Sequence, residues 1–543
     1  MRKPQFKSVI ALANSKLSIK LAAIVLASST LVSALLGIYR DRLLNTMYLD
    51  TYPSGIDAYT VAFTIPDFMF FILTSGALAV TFIPVFNQRL ATGNKKSAWE
   101  LSSSVLNIMA LVTLAASALI MIFADPLVRY VVGPGLNEEA MTLSINMMRL
   151  IAINPFLFSV STVLSSMQQA VGRFIFFAMA PAIYNIGIII GIMWFTGGIE
   201  VFGVRIFEGG IMGVALGVVL GAILQVIIGA IGLVGLGFDY AFKIYWKNHG
   251  FRTVLRLLPA RSLDQGIDYV NGIVNINLAS RMGPGIIRSY QQATALRQMP
   301  VNLVGVAIAT AFFPKMTEDI ASADEATYEN TFRSALRMII FFAVPITVIS
   351  FFARGYIVNF IKNGGDPTIA MIFGALVLSI LFGSIFHISS RGFYARQDTR
   401  TPLIVSIIAI GVNIILAVIS TMVLNIGPEG LAIANTIAVI LEVVILLGIL
   451  QVKSKRRLLD SSFWKAMGKM LIAAIITSCM TYSAVKFLPL RASDNSFFDT
   501  FPKFFLIAGA GLGTYLVAAY FLNLAEVKPV VRKLSKILFR NVK

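Results

Sequence analysis

Charge is what this sequence has least of. Only 13% of its 543 residues are charged, while 57% are hydrophobic; a soluble protein carries roughly twice that share of charge. A soluble chain of this length would divide into several domains and need charged surface to cover them. With a mean hydropathy of +0.81, the chain reads instead as an all-α polytopic membrane protein. Its one cysteine, Cys479, excludes an intramolecular disulfide and a thiolate metal cluster. Two histidines, His249 and His387, offer no His-built metal site. There is no GxxxxGK[ST] loop, HExxH or CxxC, so neither nucleotide hydrolysis nor zinc chemistry is expected, and the chain does not read as an enzyme. The GxG of Gly283 and Gly285 encloses a proline between two apolar segments and reads as a turn. Acidic residues are scarcer than basic ones, 26 against 45, a net charge of +19. In a membrane protein such an excess marks the cytoplasmic side, and no nucleic-acid partner is implied.

A helix crossing the hydrocarbon takes about 20 apolar residues. Fourteen segments qualify: 21–39, 57–87, 104–124, 141–170, 174–196, 209–236, 262–282, 285–314, 335–353, 368–395, 401–424, 428–451, 464–486 and 501–523. The first follows a basic amphipathic stretch and lacks a small-residue cleavage site, so it reads as a retained helix, not a signal peptide. With both termini in the cytoplasm, three basic regions fall inside. They are the connection 237–261 (Lys243, Lys247, Arg252, Arg256, Arg261), the connection 452–463 (Lys453, Lys455, Arg456, Arg457) and the C-terminal tail. Contact with lipid headgroups is the simplest further use of these clusters.

The chain repeats itself. Gly210, Gly213, Ala215 and Gln225 match Gly427, Gly430, Ala432 and Glu442 at an offset of 217; Pro84 in TFIPVF matches Pro314 in AFFPKM at 230; Asn185 matches Asn413 at 228. The matches occur in the same order and imply a duplication. The expected organisation is an N-lobe over 1–236, a basic cytoplasmic linker over 237–261, a C-lobe over 262–451, and two further spans with a basic tail over 452–543. Six-plus-six parallel repeats characterise transporters that carry substrate between rocking halves.

Ionisable residues inside spans are costly, and they face a bundle interior or a wet cavity. They gather here at the end of span 1 (Arg40, Asp41, Arg42), in span 2 (Asp57, Asp67), in span 7 (Asp264, Asp268, Asn271, Asn275), in span 8 (Arg288, Gln291, Gln292, Arg297) and in span 10 (His387, Arg391). The spacing of Asp264, Asp268, Asn271 and Asn275 stacks them on one helical face. Arginine in such a path suits an anion, because its fork stays charged and grips phosphate in two-point fashion. Carboxylates beside it can hold the arginines while the site is empty, or bind a proton or Na+.

Several of these segments carry a family resemblance. SSRGFYARQDTRTPLIVSIIAIGVNIIL (389–416), ASRMGPGIIRSYQQATALRQMPVNLVGVAIATAFFPKM (279–316), QQAVGRFIFFAMAPAIYNIGIII (168–190) and LGIYRDRLL with IDAYTVAFTIPDF resemble the MurJ-type lipid II flippases of the multidrug/oligosaccharidyl-lipid/polysaccharide exporter superfamily. The resemblance covers essentially the whole chain. It implies a V-shaped, two-lobed transporter of about fourteen helices in the inner membrane, both termini cytoplasmic, working by alternating access. The implied substrate is an undecaprenyl-diphosphate-linked peptidoglycan precursor moved from the cytoplasmic to the periplasmic leaflet. Its tail would lie along spans 13 and 14, with cell-wall synthesis proteins and membrane lipids as partners. The family's Arg-Asp pair late in span 1 corresponds to Arg40 and Asp41, and its acid opening span 2 to Asp57. Its other span 1 arginine falls on Ala34, its basic span 2 position on Phe70 or Phe71, and its span 8 arginine on Ala295. Arg297, Arg281 and Arg288 stand as substitutes for the last. The chain therefore reads as a divergent member.

With no nucleotide motif, energy must come from the membrane potential or an ion gradient; one charge crossing about 100 mV supplies about 2.3 kcal/mol. Asp264 and Asp268 are the candidate cation-coupling residues, with Na+ or H+ as the ion and no other cofactor expected. The alternatives are a flippase for another polyprenyl-diphosphate oligosaccharide and a cation-coupled drug exporter of the same superfamily.

Overall fold

A computed structural model describes the backbone of residues 19–74, 77–201, 204–454, 458–491, 493–530 and 532, and the side chains of these except 19, 20, 23, 77–80, 201, 204 and 257–268. Nineteen α-helices and one short hairpin make up the described chain. The first eight helices are α1 (Ile19–Tyr48), α2 (Pro53–Leu73), α3 (Ala77–Ala91), α4 (Lys95–Pro126), α5 (Glu138–Ile151), α6 (Asn154–Ala170), α7 (Ile175–Trp194) and α8 (Met212–Ile231). A hairpin of β1 (Ile199–Val201) and β2 (Val204–Phe207) joins α7 to α8. There follow α9 (His249–Ser280), α10 (Ile286–Pro300), α11 (Ala307–Ala321), α12 (Glu325–Phe352), α13 (Arg354–Ile361), α14 (Pro367–Leu376), α15 (Leu378–Ala395), α16 (Arg400–Val418), α17 (Pro428–Lys453), α18 (Ser461–Phe487) and α19 (Phe497–Phe521).

Among the described residues, twelve helical stretches are long and apolar enough to cross a membrane; α14 and α15 together are apolar enough as well and bend by 43° at their junction. The remaining expected span, 262–282, falls on α9, where residues 257–268 lie outside the described side chains. Span 2, expected over 57–87, is two helices, α2 and α3, and span 4 breaks between Ile151 and Asn154, where Pro155 opens α6. Proline has no N–H to give and its ring crowds the preceding turn, so it shapes the ladder elsewhere too. Pro126 and Pro300 each lead directly into a π-turn, Leu127–Val132 and Val301–Val306, which lets the helix continue past the lost bond.

Many helices begin at a side-chain cap. Asn94, Asn137, Asn248, Asp324, Asp366 and Asp460 each accept an N–H from the first turn, and Ser496 with Asp499 forms a reciprocal capping box. These caps satisfy donors that hydrocarbon could not.

Two compact units result, Met1–Ile287 and Arg288–Lys543. In the first, α7 and α8 touch backbone to backbone. A Cβ added at Gly187 would lie 2.3 Å from the Cα of Gly221, and one at Gly191 would lie 2.5 Å from the Cα of Gly217. Glycines four apart on both helices permit this approach, which replaces the hydrophobic drive that lipid does not supply. α1 packs along α7, and α9 packs on α2 and α3, so the helix that the repeat assigns to the second half lies within the first unit. Asn277 of α9 donates to the carbonyl of Val131 at 2.7 Å.

In the second unit α16 packs along α17, the counterpart in the repeat of α7 and α8, and α12, α15, α17 and α18 share a core built on Phe332, Leu336, Ile339, Phe393, Leu446 and Leu450. Its polar ends are tied by ion pairs: Arg396 to Glu325 at 2.8 Å, Arg333 to Asp460 at 3.0 Å and Arg337 to Glu526 at 2.5 Å.

Candidate substrate site

In the first unit the charged residues that sequence reasoning selects sit at two places. Arg40, near the end of α1, reaches Asp41 Oδ1 with Nη2 at 2.9 Å and donates from Nη1 to Asn185 Oδ1 of α7 at 2.9 Å. Asn185 in turn donates from Nδ2 to the carbonyls of Pro181 at 3.1 Å and Ser33 at 3.3 Å. The guanidinium is thus held from two sides, and the side chain stays 24% exposed. Tyr59 and Tyr184 lie within electrostatic range of Arg40, and Asp67 within range of Tyr184.

Asp57 lies elsewhere and is buried. Its Oδ2 accepts the N–H of Gly285 at 2.6 Å. Gly285 has a φ of +85° and Gly283 one of +110°, a left-handed geometry open to glycine. The GxG segment is the expected turn, and Asp57 fastens it. Beside it a cavity of about 110 Å³ is lined by Ser54, Asn137, Ser280 and Pro284. Arg281 caps the C-terminus of α9 next to this turn and is exposed.

Phe70 and Phe71, where the resemblance expects a basic residue, belong to an aromatic group. Phe71 packs on Tyr269 of α9 at 4.4 Å between ring centroids; Phe70 packs on Phe158 at 5.3 Å, and Phe158 on Tyr184 at 5.2 Å. The rings run continuously from α9 to the neighbourhood of Arg40. Asp264 and Asp268 belong to α9, but their side chains lie outside the described residues.

In the second unit Arg288 is 4% exposed; it donates to Gln291 at 3.0 Å, and Gln292 presents its amide oxygen to the same guanidinium at 2.9 Å. Arg288 is therefore engaged within its own helix. Arg297 donates to Gln298 at 3.1 Å, and its charge and that of Arg391 both reach His387 of α15. Arg391 also donates to the carbonyl of Val306, in the π-turn, at 3.2 Å. The cationic group here is Arg297 with Arg391, beside His387. Asn185 and Arg391 were not among the selected site residues. Asn185 had a signal in the repeat, where it matches Asn413; Arg391 had only its place in span 10.

Among the described residues no cluster of His, Cys, Asp or Glu is arranged to hold a metal ion. In the first unit Arg40, positioned by Asn185 of a neighbouring helix, can take up an anionic group; in the second unit Arg297 and Arg391 form a cationic group held by Gln298 and the Val306 carbonyl.

Comparison with known proteins decides the family. The family model described as "Lipid II flippase MurJ" matches residues 54–498. The chain belongs to the MurJ lipid II flippase family. Its similarity to individual members is low and extends over most of their length. It is 23% identical over 520 residues to a probable lipid II flippase MurJ of Thermotoga maritima, covering 93% of this chain and 97% of that protein. It is 25% identical over 405 residues to the lipid II flippase MurJ of Burkholderia cenocepacia, covering 73% and 76%. The fold is similar to a solved lipid II flippase MurJ in an inward closed conformation, with a TM-score of 0.70 at 23% identity over 95% of this chain and 99% of that one. An inward-facing multidrug transporter of the MATE family shares the architecture at a TM-score of 0.65 and 15% identity, over 79% and 98%. MurJ membership and the spans make the chain a multi-pass membrane transporter with a divergent sequence.

Proposed function

We propose that this chain flips lipid II, a polyprenyl-diphosphate-linked peptidoglycan precursor, from the cytoplasmic to the periplasmic leaflet by alternating access. The observation that carries the reading is the family match over 54–498 together with Arg40 held ready for an anion by Asp41 and Asn185. A diphosphate is the part of such a lipid that guanidinium forks recognise. The tail runs along α18 and α19, whose faces carry exposed Leu471, Ile475, Leu506 and Phe505.

The basic connections 237–261 and 452–463 support an inner-membrane orientation with both termini in the cytoplasm. Na+ or H+ is the coupling ion in this proposal, and Asp264 and Asp268 are its sites. Cell-wall synthesis enzymes are the expected partners.

One observation favours a second reading, a cation-coupled drug exporter of the same superfamily: the ring series Phe70, Phe71, Phe158, Tyr184 and Tyr269, with Asp67 within electrostatic range of Tyr184, stands where the family's basic residue is expected. Complementation separates the two. In cells depleted of their own lipid II flippase, expression of this chain should restore wall synthesis and growth. A well-expressed, membrane-inserted protein that fails to restore them would overturn the first reading.

A further inference from the structure

The segment between α8 and α9 does more than connect. Residues 240–246 are strapped onto α4 by side chains facing them. Asn107 Nδ2 donates to the carbonyls of Ala241 at 2.8 Å and Lys243 at 3.1 Å, while Tyr240 donates its hydroxyl to Asn107 Oδ1 at 2.7 Å. Ser103 and Ser104 accept the N–H groups of Ala241 at 3.2 Å and Tyr245 at 2.8 Å. Both serines are buried. Such pinning gives the strap a fixed shape.

Two cavities open on either side of it, and Lys243, Ile244 and Trp246 line both. The first, about 730 Å³, is walled by Ala110, Leu111 and Leu114 of α4 and by Phe156 and Val160 of α6. Most of its lining is apolar, and α4 and α6 belong to helical stretches long and apolar enough to cross a membrane. The second, about 810 Å³, is lined by Arg89, Lys96, Lys243 and Lys247 with Glu100 as its one carboxylate. Among the described residues none of these four cations is ion-paired: Arg89 donates to Ser97 at 3.0 Å, and Lys243 lies over the Tyr245 ring at 5.5 Å. A smaller neighbouring cleft adds Asp239 beside Lys96 and Glu100. The basic cavity therefore keeps a net positive charge. At the mouth, Phe242 is 92% exposed and Trp246 is 53% exposed, an aromatic rim of the kind that sits at headgroup level.

An apolar slot meeting a cationic cup at a pinned aromatic strap has the shape and polarity of one amphiphile. We propose that this is a binding site for an anionic membrane phospholipid, its phosphate among Lys243, Lys247, Lys96 and Arg89 and an acyl chain along α4 and α6. The charge complementarity selects the head, and the slot selects a lipid over a free anion. The site requires only that the chain spans a membrane and is independent of what is transported.

The test is native mass spectrometry of the delipidated full-length protein in detergent, offered equal amounts of phosphatidylglycerol and phosphatidylcholine. The wild type should retain phosphatidylglycerol preferentially. The double variant Lys243→Gln, Lys247→Gln should lose that preference about thirtyfold, at about 1 kcal/mol per basic residue against an anionic head. Leu111→Trp, which fills the slot and leaves every charge in place, should also weaken retention. Replacing Lys465 and Lys469 by Gln should change nothing. Equal retention of the two lipids by the wild type, or unchanged selectivity in the Lys243, Lys247 variant, would overturn the proposal. Displacement of the bound lipid by inorganic phosphate would overturn it as well, since a free-anion site would then explain the charge.

Discussion

Arg40 Nη1 meets Asn185 Oδ1 at 2.9 Å, so the arginine of α1 is aimed by an asparagine of α7 that lies 145 residues away. This is the contact on which the proposed headgroup site depends. A charge-assisted hydrogen bond contributes about 1.5–3 kcal/mol. Asn185→Leu is expected to leave Arg40 charged but unaimed, lowering flipping by roughly tenfold or more, and Arg40→Ala to abolish it. Flipping rates of membrane-inserted variants at matched expression check this.

Gly217 and Gly191 meet with no room for a methyl group. Gly217→Leu should force α7 and α8 apart at a cost of about 1–3 kcal/mol or more, and would disturb Asn185 on α7. The expected outcome is faster loss of monodisperse protein on heating, together with reduced activity. Gly513→Leu, on α19, where nothing lies within 4 Å of an added Cβ, is the control and should change neither.

Asp57 is a buried acceptor for the N–H of Gly285 at 2.6 Å. Asp57→Ala should destabilise the protein by about 1–3 kcal/mol, the cost of a buried donor left without its partner. Asp57→Asn keeps an acceptor oxygen there and should retain most of the stability. Comparing thermal inactivation of the two separates the fastening role from any need for charge. If only the charge matters for transport, Asp57→Asn will be stable and inactive.

Asp398, in the connection between α15 and α16, accepts from Lys453 Nζ at 2.5 Å and from Thr401 Oγ1 at 2.7 Å. The lysine bond, with help from Thr401, holds its carboxyl well below the ordinary carboxylate value. Because the folded-state value is depressed, its stabilising effect is fully present above about pH 4, the unfolded value, and is lost as the pH falls further through the folded value. Lys453 is 43% exposed, so solvent screening keeps the contribution under about 1 kcal/mol. Thermal inactivation followed from pH 6 to pH 3 should accelerate, and the acceleration should be smaller in Asp398→Asn.

Much of the architecture was legible because it follows from one-dimensional patterns. Apolar runs located the spans, and the turn glycines Gly283 and Gly285 were read as such. Proline positions marked Pro84 and Pro314 as related, and the matches around Asn185 and Asn413 pointed to a repeat whose helices, α7 with α8 and α16 with α17, pack as pairs in their units. What the sequence hid are relationships between distant residues. Nothing local says that Asp57 fastens a turn 228 residues on, nor that α9 packs on α2 and α3, since its neighbours are set by Asn277 and the Phe71–Tyr269 contact. Arg40 was found from its place in a span, while its partner Asn185 was visible only as a repeated residue. Arg288 looked equivalent to Arg297 along the chain, yet its two neighbouring glutamines occupy it.

In the proposed function Arg40 serves the transport of a polyprenyl-diphosphate substrate. The most direct test is the flipping of labelled lipid II in proteoliposomes containing the purified chain, compared with the same vesicles containing Arg40→Ala. Transfer between leaflets is expected with the wild type, and none above protein-free vesicles with Arg40→Ala. Absence of transfer with folded wild-type protein under an imposed potential and ion gradient, or equal transfer by Arg40→Ala, would contradict it.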